Sequence, residues 1–261
     1  MAIDLPQLGF GGAPIGGLLD AVDDAAALAA VSAALESGIQ YFDTAPFYGF
    51  GLSERRLGDV LRGADDVIIS TKVGRLLKPG LPDDPAAYGW PKPLPFHPHF
   101  DYGYDAVMRS FEDSLQRLGH DHVDMLFLHD IGPLTHPDPD EEARHFNDAM
   151  SGGYKALDQL RRAGDIKAIG IGVNEIDVSM RALDHGAWDV FLLAGRYTLL
   201  EQDSLDELLP KCAAESVRIV IGGPFNSGIL VGGTTWNYET APAEIVDRAR
   251  RLNEVCAAHN V

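Results

Sequence analysis

The 261-residue sequence predicts an α/β protein built as a (β/α)8 TIM barrel, and three observations carry that prediction. Short β-rich apolar runs alternate with longer runs of helical period, with no break in composition along the chain. The strand candidates are nearly continuous apolar runs, the pattern of parallel strands covered on both faces. The first of them leads into GFGGAPIGG, from Gly9 to Gly17, whose glycines do not fit G-x-G-x-x-G and are interrupted by a proline. That disfavours the other regular βα architecture, the doubly wound dinucleotide-binding sheet.

The strands are expected at Leu8–Phe10, Gln40–Phe42, Val67–Ser70, Val123–Leu128, Ala168–Val173, Val190–Leu193 and Val217–Ile221. Between them, Leu28, Val31 and Leu35 share a helical face that Gly38 ends. Ser53 is placed to cap a helix bearing Leu57, Val60 and Leu61. Val107, Phe111, Leu115 and Leu118 recur at helical spacing up to Gly119. Leu205, Leu208, Leu209 and Cys212 form another stripe, and Ile245, Ala249, Leu252 and Cys256 the last. This makes seven βα units where closure takes eight, so the expectation is one barrel domain over 1–261 from which the eighth, C-terminal unit is absent.

Hydrophobic residues make up 46% and charged residues 23%, as in soluble globular proteins, so a sizeable core is available. The net charge of −18 repels phosphate backbones and anionic lipid, which argues against nucleic acid and membrane partners. An anionic cofactor would need local donors such as backbone N–H groups. No apolar run is long enough to span a bilayer, and the N-terminal residues lack a secretory pattern. Cys212 and Cys256, each inside an apolar helical stripe, are expected to be buried free thiols, which suits a cytoplasmic protein. The oligomeric state is not readable.

The chemistry concentrates at strand ends. Asp43 closes the second strand, Tyr48 follows in a Pro/Gly loop, Lys72 ends the third strand and His129 the fourth. In a barrel those ends face one mouth, where active sites lie. A phenol titrates near pH 10, so Tyr48 needs help to act as acid or base. Lys72 can favour the phenolate, Asp43 can hold Lys72 charged, and His129 can orient a substrate oxygen. The loop from Gly74 to about Gly103 holds seven prolines and the aromatics Tyr88, Trp90, Phe96, Phe100 and Tyr102. It is expected to form an ordered wall of the mouth suited to a sugar or another small polar ring, with Trp90 and Phe96, together with Phe47, against the substrate. His97 and His99 lack a third ligand at suitable spacing, so no metal is expected. The acidic loop from Asp130 to Gly153 is expected to be a solvated surface.

The segments FDTAPFYGFGLSERRLG (42–58), STKVG (70–74) and LFLHD (126–130) resemble, in order and spacing, the three signature segments of the aldo-keto reductases. The resemblance implies NAD or NADP as cofactor and a small-molecule substrate, with the hydride supplied by the cofactor and the proton by Tyr48. It implies that Asn174, ending the fifth strand, meets the nicotinamide carboxamide. Here Val173 precedes it where the family has serine. The glutamine that the family carries on strand six aligns with Ala194, ahead of Arg196 and Tyr197. The aromatic that it stacks on the nicotinamide aligns with Gly222, with Phe225 as a substitute. The run Pro224, Phe225, Asn226, Ser227, Gly228 resembles the loop that wraps the pyrophosphate. The adenosine-phosphate site of the family follows strand eight, so the choice between NAD and NADP is not legible. KVGRLLKPG and PLPFHPHFDYGYDAVMRSFEDSLQRLG resemble the bacterial aldose 1-dehydrogenase branch, which acts on L-fucose, L-galactose and D-threo-aldoses and is related to pyridoxal 4-dehydrogenases. The implied reaction is oxidation of a hemiacetal to a lactone. The alternatives are pyridoxal oxidation, general aldehyde or ketone reduction, or a non-catalytic cofactor-sensing subunit. A metal hydrolase using His129, Asp130 and Asp43 is disfavoured because the first strand does not end in H-x-H.

Overall fold

The computed structural model describes residues 3–261. Strand β1 (Gly9–Gly11) is followed by α1 (Asp24–Glu36), whose N-cap Asp23 accepts from the Ala26 N–H at 2.8 Å. Then come β2 (Tyr41–Asp43) and α2 (Leu52–Leu61). The cap of α2 is Gly51, not Ser53, because the turn into the helix takes φ 95°, which a glycine adopts without strain. Ser53 lies inside the helix, where its Oγ donates to the Gly12 carbonyl at 2.7 Å and meets Thr44 Oγ1 at 2.8 Å, pinning α2 to the ends of the first two strands.

Next are β3 (Ile68–Val73), a hairpin of β4 (Arg75–Pro79) and β5 (Phe96–Phe100), α3 (Tyr104–Leu118) closed by left-handed Gly119, and β6 (Met125–His129). The stretch expected to be a solvated loop is instead α4 (Pro139–Asp148), capped by Asp138, then a π turn at Ala149–Gly153 that leads into α5 (Tyr154–Ala163). Its acidic residues hid one apolar anchor, Phe146, buried with the Arg181 guanidinium 3.8 Å from its ring centre. β7 (Ala168–Val173), α6 (Ile176–Leu183), β8 (Val190–Ala194), α7 (Leu208–Ala214) and β9 (Arg218–Gly222) continue the alternation. Leu205 falls in a separate 3-10 turn before α7 and is exposed. After a 3-10 segment at Asn226–Val231, a two-residue-strand hairpin, β10 (Thr235–Trp236) and β11 (Glu239–Thr240), precedes α8 (Ala243–Ala258). Cys212 is buried but Cys256 only half-buried, since α8 packs by a narrow stripe centred on Ala249.

The sheet runs β1-β2-β3-β6-β7-β8-β9, all parallel, with β1 and β9 at its two ends. Six strands run one to three residues beyond the expected stretches, and three of them take in polar residues: parallel pairing carries the backbone on through Asp43, Lys72 and His129, whatever their side chains. Alternate strand residues divide into two cores. Tyr41, Met125, Phe127, Ala168, Val190 and Leu192 fill the barrel interior, while Phe42, Leu126, Leu128, Ile169, Ile171 and Phe191 pack outward on the helices. Among the described residues no helix is long and apolar enough to cross a membrane.

Candidate active site

The register sets the site. Asp43 pairs with Ser70, Lys72 with Phe127 and His129 with Gly172, so the three polar side chains emerge at neighbouring strand ends. Lys72 is 1% exposed, yet its ammonium is satisfied: Nζ donates to Asp43 Oδ2 at 2.6 Å and to the Thr44 carbonyl at 2.8 Å. Asp43 Oδ1 accepts from Ser70 Oγ at 2.7 Å, and the Tyr41 hydroxyl backs Ser70 at 3.0 Å. A buried charge of this kind persists only when paired and hydrogen-bonded, as both partners are here. Nζ stands 4.7 Å from the centre of the Tyr48 ring. His129 presents its edge to Tyr48, ring centres 5.7 Å apart, and to Phe47 at 6.2 Å. Trp90, buried in the middle of the proline-rich loop, touches both Phe47 and Tyr48, at 5.6 and 5.7 Å between ring centres.

Sequence reasoning missed a second layer. Arg75, the first residue of β4, is 3% exposed and stacks its guanidinium 4.1 Å from the Phe47 ring centre. Its Nη2 donates to Asp130 Oδ2 at 2.6 Å and to Thr135 Oγ1 at 3.2 Å. Asp130 follows His129 with a left-handed φ of 46°, which turns its carboxylate back toward the mouth, with Oδ2 3.4 Å from His129 Nε2. The Tyr102 hydroxyl lies 3.0 Å from the carbonyl oxygens of both His129 and Asp130 and fixes that turn. Tyr238, at the tip of the β10–β11 hairpin, also reaches the site, its hydroxyl 3.4 Å from Asn174 Nδ2. A Lys-Val-Gly-Arg run and a His-Asp pair were the available signals for the Arg75–Asp130 bridge; nothing local in the sequence marks Tyr238.

Burial drives the electrostatics. It pushes the Tyr48 phenol well above its usual range, with Asp43, Tyr238 and Asp130 acting in the same direction and Arg75 opposing. The expected depression by Lys72 is not met, because Lys72 is neutralised by Asp43 at contact distance and the carboxylate acts on Tyr48 too. Burial, then Arg75 and Lys72, hold His129 well below the usual histidine range. His129 is therefore a neutral imidazole near pH 7, able to donate to a substrate oxygen, and its contact with Asp130 is not an ion pair. Burial raises the Asp130 carboxyl, and Arg75 and Lys72 counter it.

Two cavities meet at these residues. The smaller, about 110 Å³, is lined by Phe47, Tyr48, Lys72, Trp90, His129 and Asp130, with Asn174 and Tyr238 at its rim. The larger, about 980 Å³, shares Tyr48, Asn174 and Tyr238 and runs between the β1 and β9 sides of the sheet past Pro224 to Gly228. Its walls suit a dinucleotide. They are mainly apolar, Asn226 Oδ1 is buried there without a partner, and Asn226, Ser227 and Gly228 take φ of 48°, 58° and 99°, a curl of backbone of the kind that receives anions. Asn174 lies at the junction, its Nδ2 also donating to the Ala194 carbonyl at 3.2 Å. Three expected contacts fall elsewhere. Arg196 is turned to Glu201 at 2.8 Å and Asn237 at 2.9 Å, Tyr197 is 40% exposed, and neither lines these two cavities. Phe96 pairs with Pro79 at the far end of the β4–β5 hairpin, away from the mouth.

Barrel and polar strand ends together define a nicotinamide-dependent oxidoreductase, and comparison with known proteins agrees. The profile of the aldo/keto reductase family matches residues 7–261. Pyridoxal 4-dehydrogenase of Microbacterium luteolum is 47% identical, over 99% of this chain and 80% of that protein. D-threo-aldose 1-dehydrogenase of a Pseudomonas species is 37% identical, over 98% and 78%. The holo form of the aldo-keto reductase AKR11C1 from Bacillus halodurans superposes with a TM-score of 0.67 at 26% identity, over 95% of this chain and 72% of that one. The chain belongs to the aldo/keto reductase family, and is an NAD(P)-dependent oxidoreductase acting on a small molecule.

Proposed function

We propose that this chain, acting as one barrel domain in the cytoplasm, oxidises a small cyclic hemiacetal to the lactone, first of all an aldose at C1. The observation that supports this reading most is the meeting of Tyr48, Lys72 and His129 in one small aromatic-walled cavity that opens into a dinucleotide-sized one. When bound, the oxidised nicotinamide supplies the hydride acceptor and a positive charge that favours the Tyr48 phenolate. His129 donates to the substrate oxygen and sets its approach. The C1–H bond breaks with its electron pair, the hydroxyl proton passes to Tyr48 Oη, and the new C=O closes the lactone. Lys72 stands beside the phenol, and Asp43 and Ser70 keep it there. Asn174 holds the carboxamide end, and Pro224 to Gly228 hold the pyrophosphate. Pyridoxal is the second reading. Its hydroxymethyl group closes on its aldehyde to the same kind of hemiacetal, its flat ring suits Phe47, Trp90 and Tyr238, and the 47% identical relative is named for it.

The test is reduction of NAD and NADP, followed by absorbance, with L-fucose, L-galactose, D-arabinose and pyridoxal. Tyr48→Phe removes one hydroxyl and is expected to cut turnover by about 10²- to 10⁴-fold while leaving cofactor affinity nearly unchanged. Turnover surviving in that variant, or no turnover with any of the four, would overturn the reading.

A further inference from the structure

Asp130 has a role left over from the chemistry above. Its Oδ2 is engaged by Arg75 at 2.6 Å, but Oδ1 accepts no hydrogen bond and is not among the buried polar atoms, so it is open. The residue lines the small cavity beside His129 and Tyr48, and its side chain is 20% exposed. Three features keep the carboxylate in place. The left-handed backbone aims it, the Tyr102 hydroxyl fixes the carbonyls on either side of that turn, and Arg75 is itself clamped on Phe47. A fixed acceptor with one free oxygen next to the group that orients the reacting oxygen is placed to receive a neighbouring hydroxyl.

We infer that Asp130 is a specificity-determining residue whose free carboxylate oxygen accepts a hydrogen bond from a substrate hydroxyl on the carbon next to the reacting one. This rests on the hemiacetal reading and narrows it. A sugar offers a neutral donor at that position, whereas in pyridoxal the carbon next to the reacting one carries no hydroxyl, and the phenolic oxygen one carbon further is ionised near neutral pH and meets the carboxylate as a like charge. Hydrogen bonds to a charged acceptor discriminate strongly, because the analogue lacking the hydroxyl leaves the carboxylate unpaired.

D-arabinose and 2-deoxy-D-ribose differ only in that hydroxyl and make the direct test. The wild-type enzyme is expected to prefer D-arabinose by about ten- to a hundredfold in kcat/KM. Asp130→Asn keeps an oxygen for Arg75, tolerates a left-handed φ, and turns the free acceptor into a donor. It is expected to cut that preference several-fold, through KM for D-arabinose, because an amide makes only an uncharged hydrogen bond with the hydroxyl, while the pH profile of kcat is the same on both sugars. Three results would overturn the inference: an equal loss of kcat on both sugars, which marks a residue that merely positions His129; a preference left at its wild-type size by the substitution; or wild-type turnover of pyridoxal with neither pentose used. Absence of turnover with the whole panel would instead sink the hemiacetal reading.

Discussion

At the scale of single residues, burial sets the ionic states of the site more than pairwise charge does. Burial leaves Tyr48 and His129 both neutral: at Tyr48 Lys72 is offset by Asp43, 2.6 Å from it, and at His129 Arg75 and Lys72 add to the effect of burial, so that the phenolate needed for oxidation waits for the positive charge of the bound cofactor. The same rule reaches beyond the catalytic residues. His136, 4% exposed, stacks on His145 at 4.2 Å between ring centres and contacts Tyr102, and burial lowers it to about 4, with His145 and Arg75 adding to the effect. A histidine depressed in the folded state binds its proton more readily when unfolded. Its contribution to stability is therefore complete above the ordinary value of 6.5 and is lost as pH falls from there toward about 4. The free energy of urea unfolding is expected to be flat between pH 7 and 8 and to fall steadily below 6.5, by about 1.4 kcal/mol per pH unit for His136 alone. In His136→Gln part of that acid slope disappears; an unchanged slope would mean that His136 takes up its proton as readily folded as unfolded.

At the scale of elements, the strands bring chemistry to the mouth only if they lie close enough, and β7 shows how closely. Gly170 has no side chain, and a Cβ there would sit 1.6 Å from the Val190 carbonyl oxygen of β8. Gly170→Ala must push the two strands apart and disturb Asn174 at the end of β7 and Ala194 at the end of β8. A loss of about 1–3 kcal/mol on chemical unfolding is expected, with cofactor affinity weakened more than the pH profile. A variant as stable as wild type would show that β8 relaxes freely. The strands and their polar ends were legible because hydrophobic runs and motif residues are local signals. The α4 segment was not, because one buried Phe146 among acidic residues leaves no stripe. Phe96 was misplaced and Tyr238 passed over for the same reason. Hairpin register carries Phe96 away from the mouth, and another hairpin brings Tyr238 to Asn174 across 64 positions, and neither register is written in composition.

At the scale of the whole molecule, an acidic protein is built to bind an anionic cofactor. The chain carries −18, and Arg218 is the one cation on the wall of the larger cavity among the described residues. Arg218 lies at the opposite end of β9 from the curl at Asn226 to Gly228, so in the proposed reading the pyrophosphate meets backbone N–H groups of this chain, which have partial charges only. Attraction at the cavity is thus short-ranged, while repulsion from the surface extends over a Debye length, about 30 Å in dilute buffer and about 8 Å at physiological salt. Salt screens the long-range part and spares the short-range part. Cofactor affinity is accordingly expected to strengthen, by a few fold, between about 10 mM and about 150 mM sodium chloride, the reverse of a site built from lysines and arginines. Fluorescence titration at the two concentrations measures it. Weakening with salt would mean that a cationic cluster dominates recognition, and that the pyrophosphate is not held by the loop from Pro224 to Gly228.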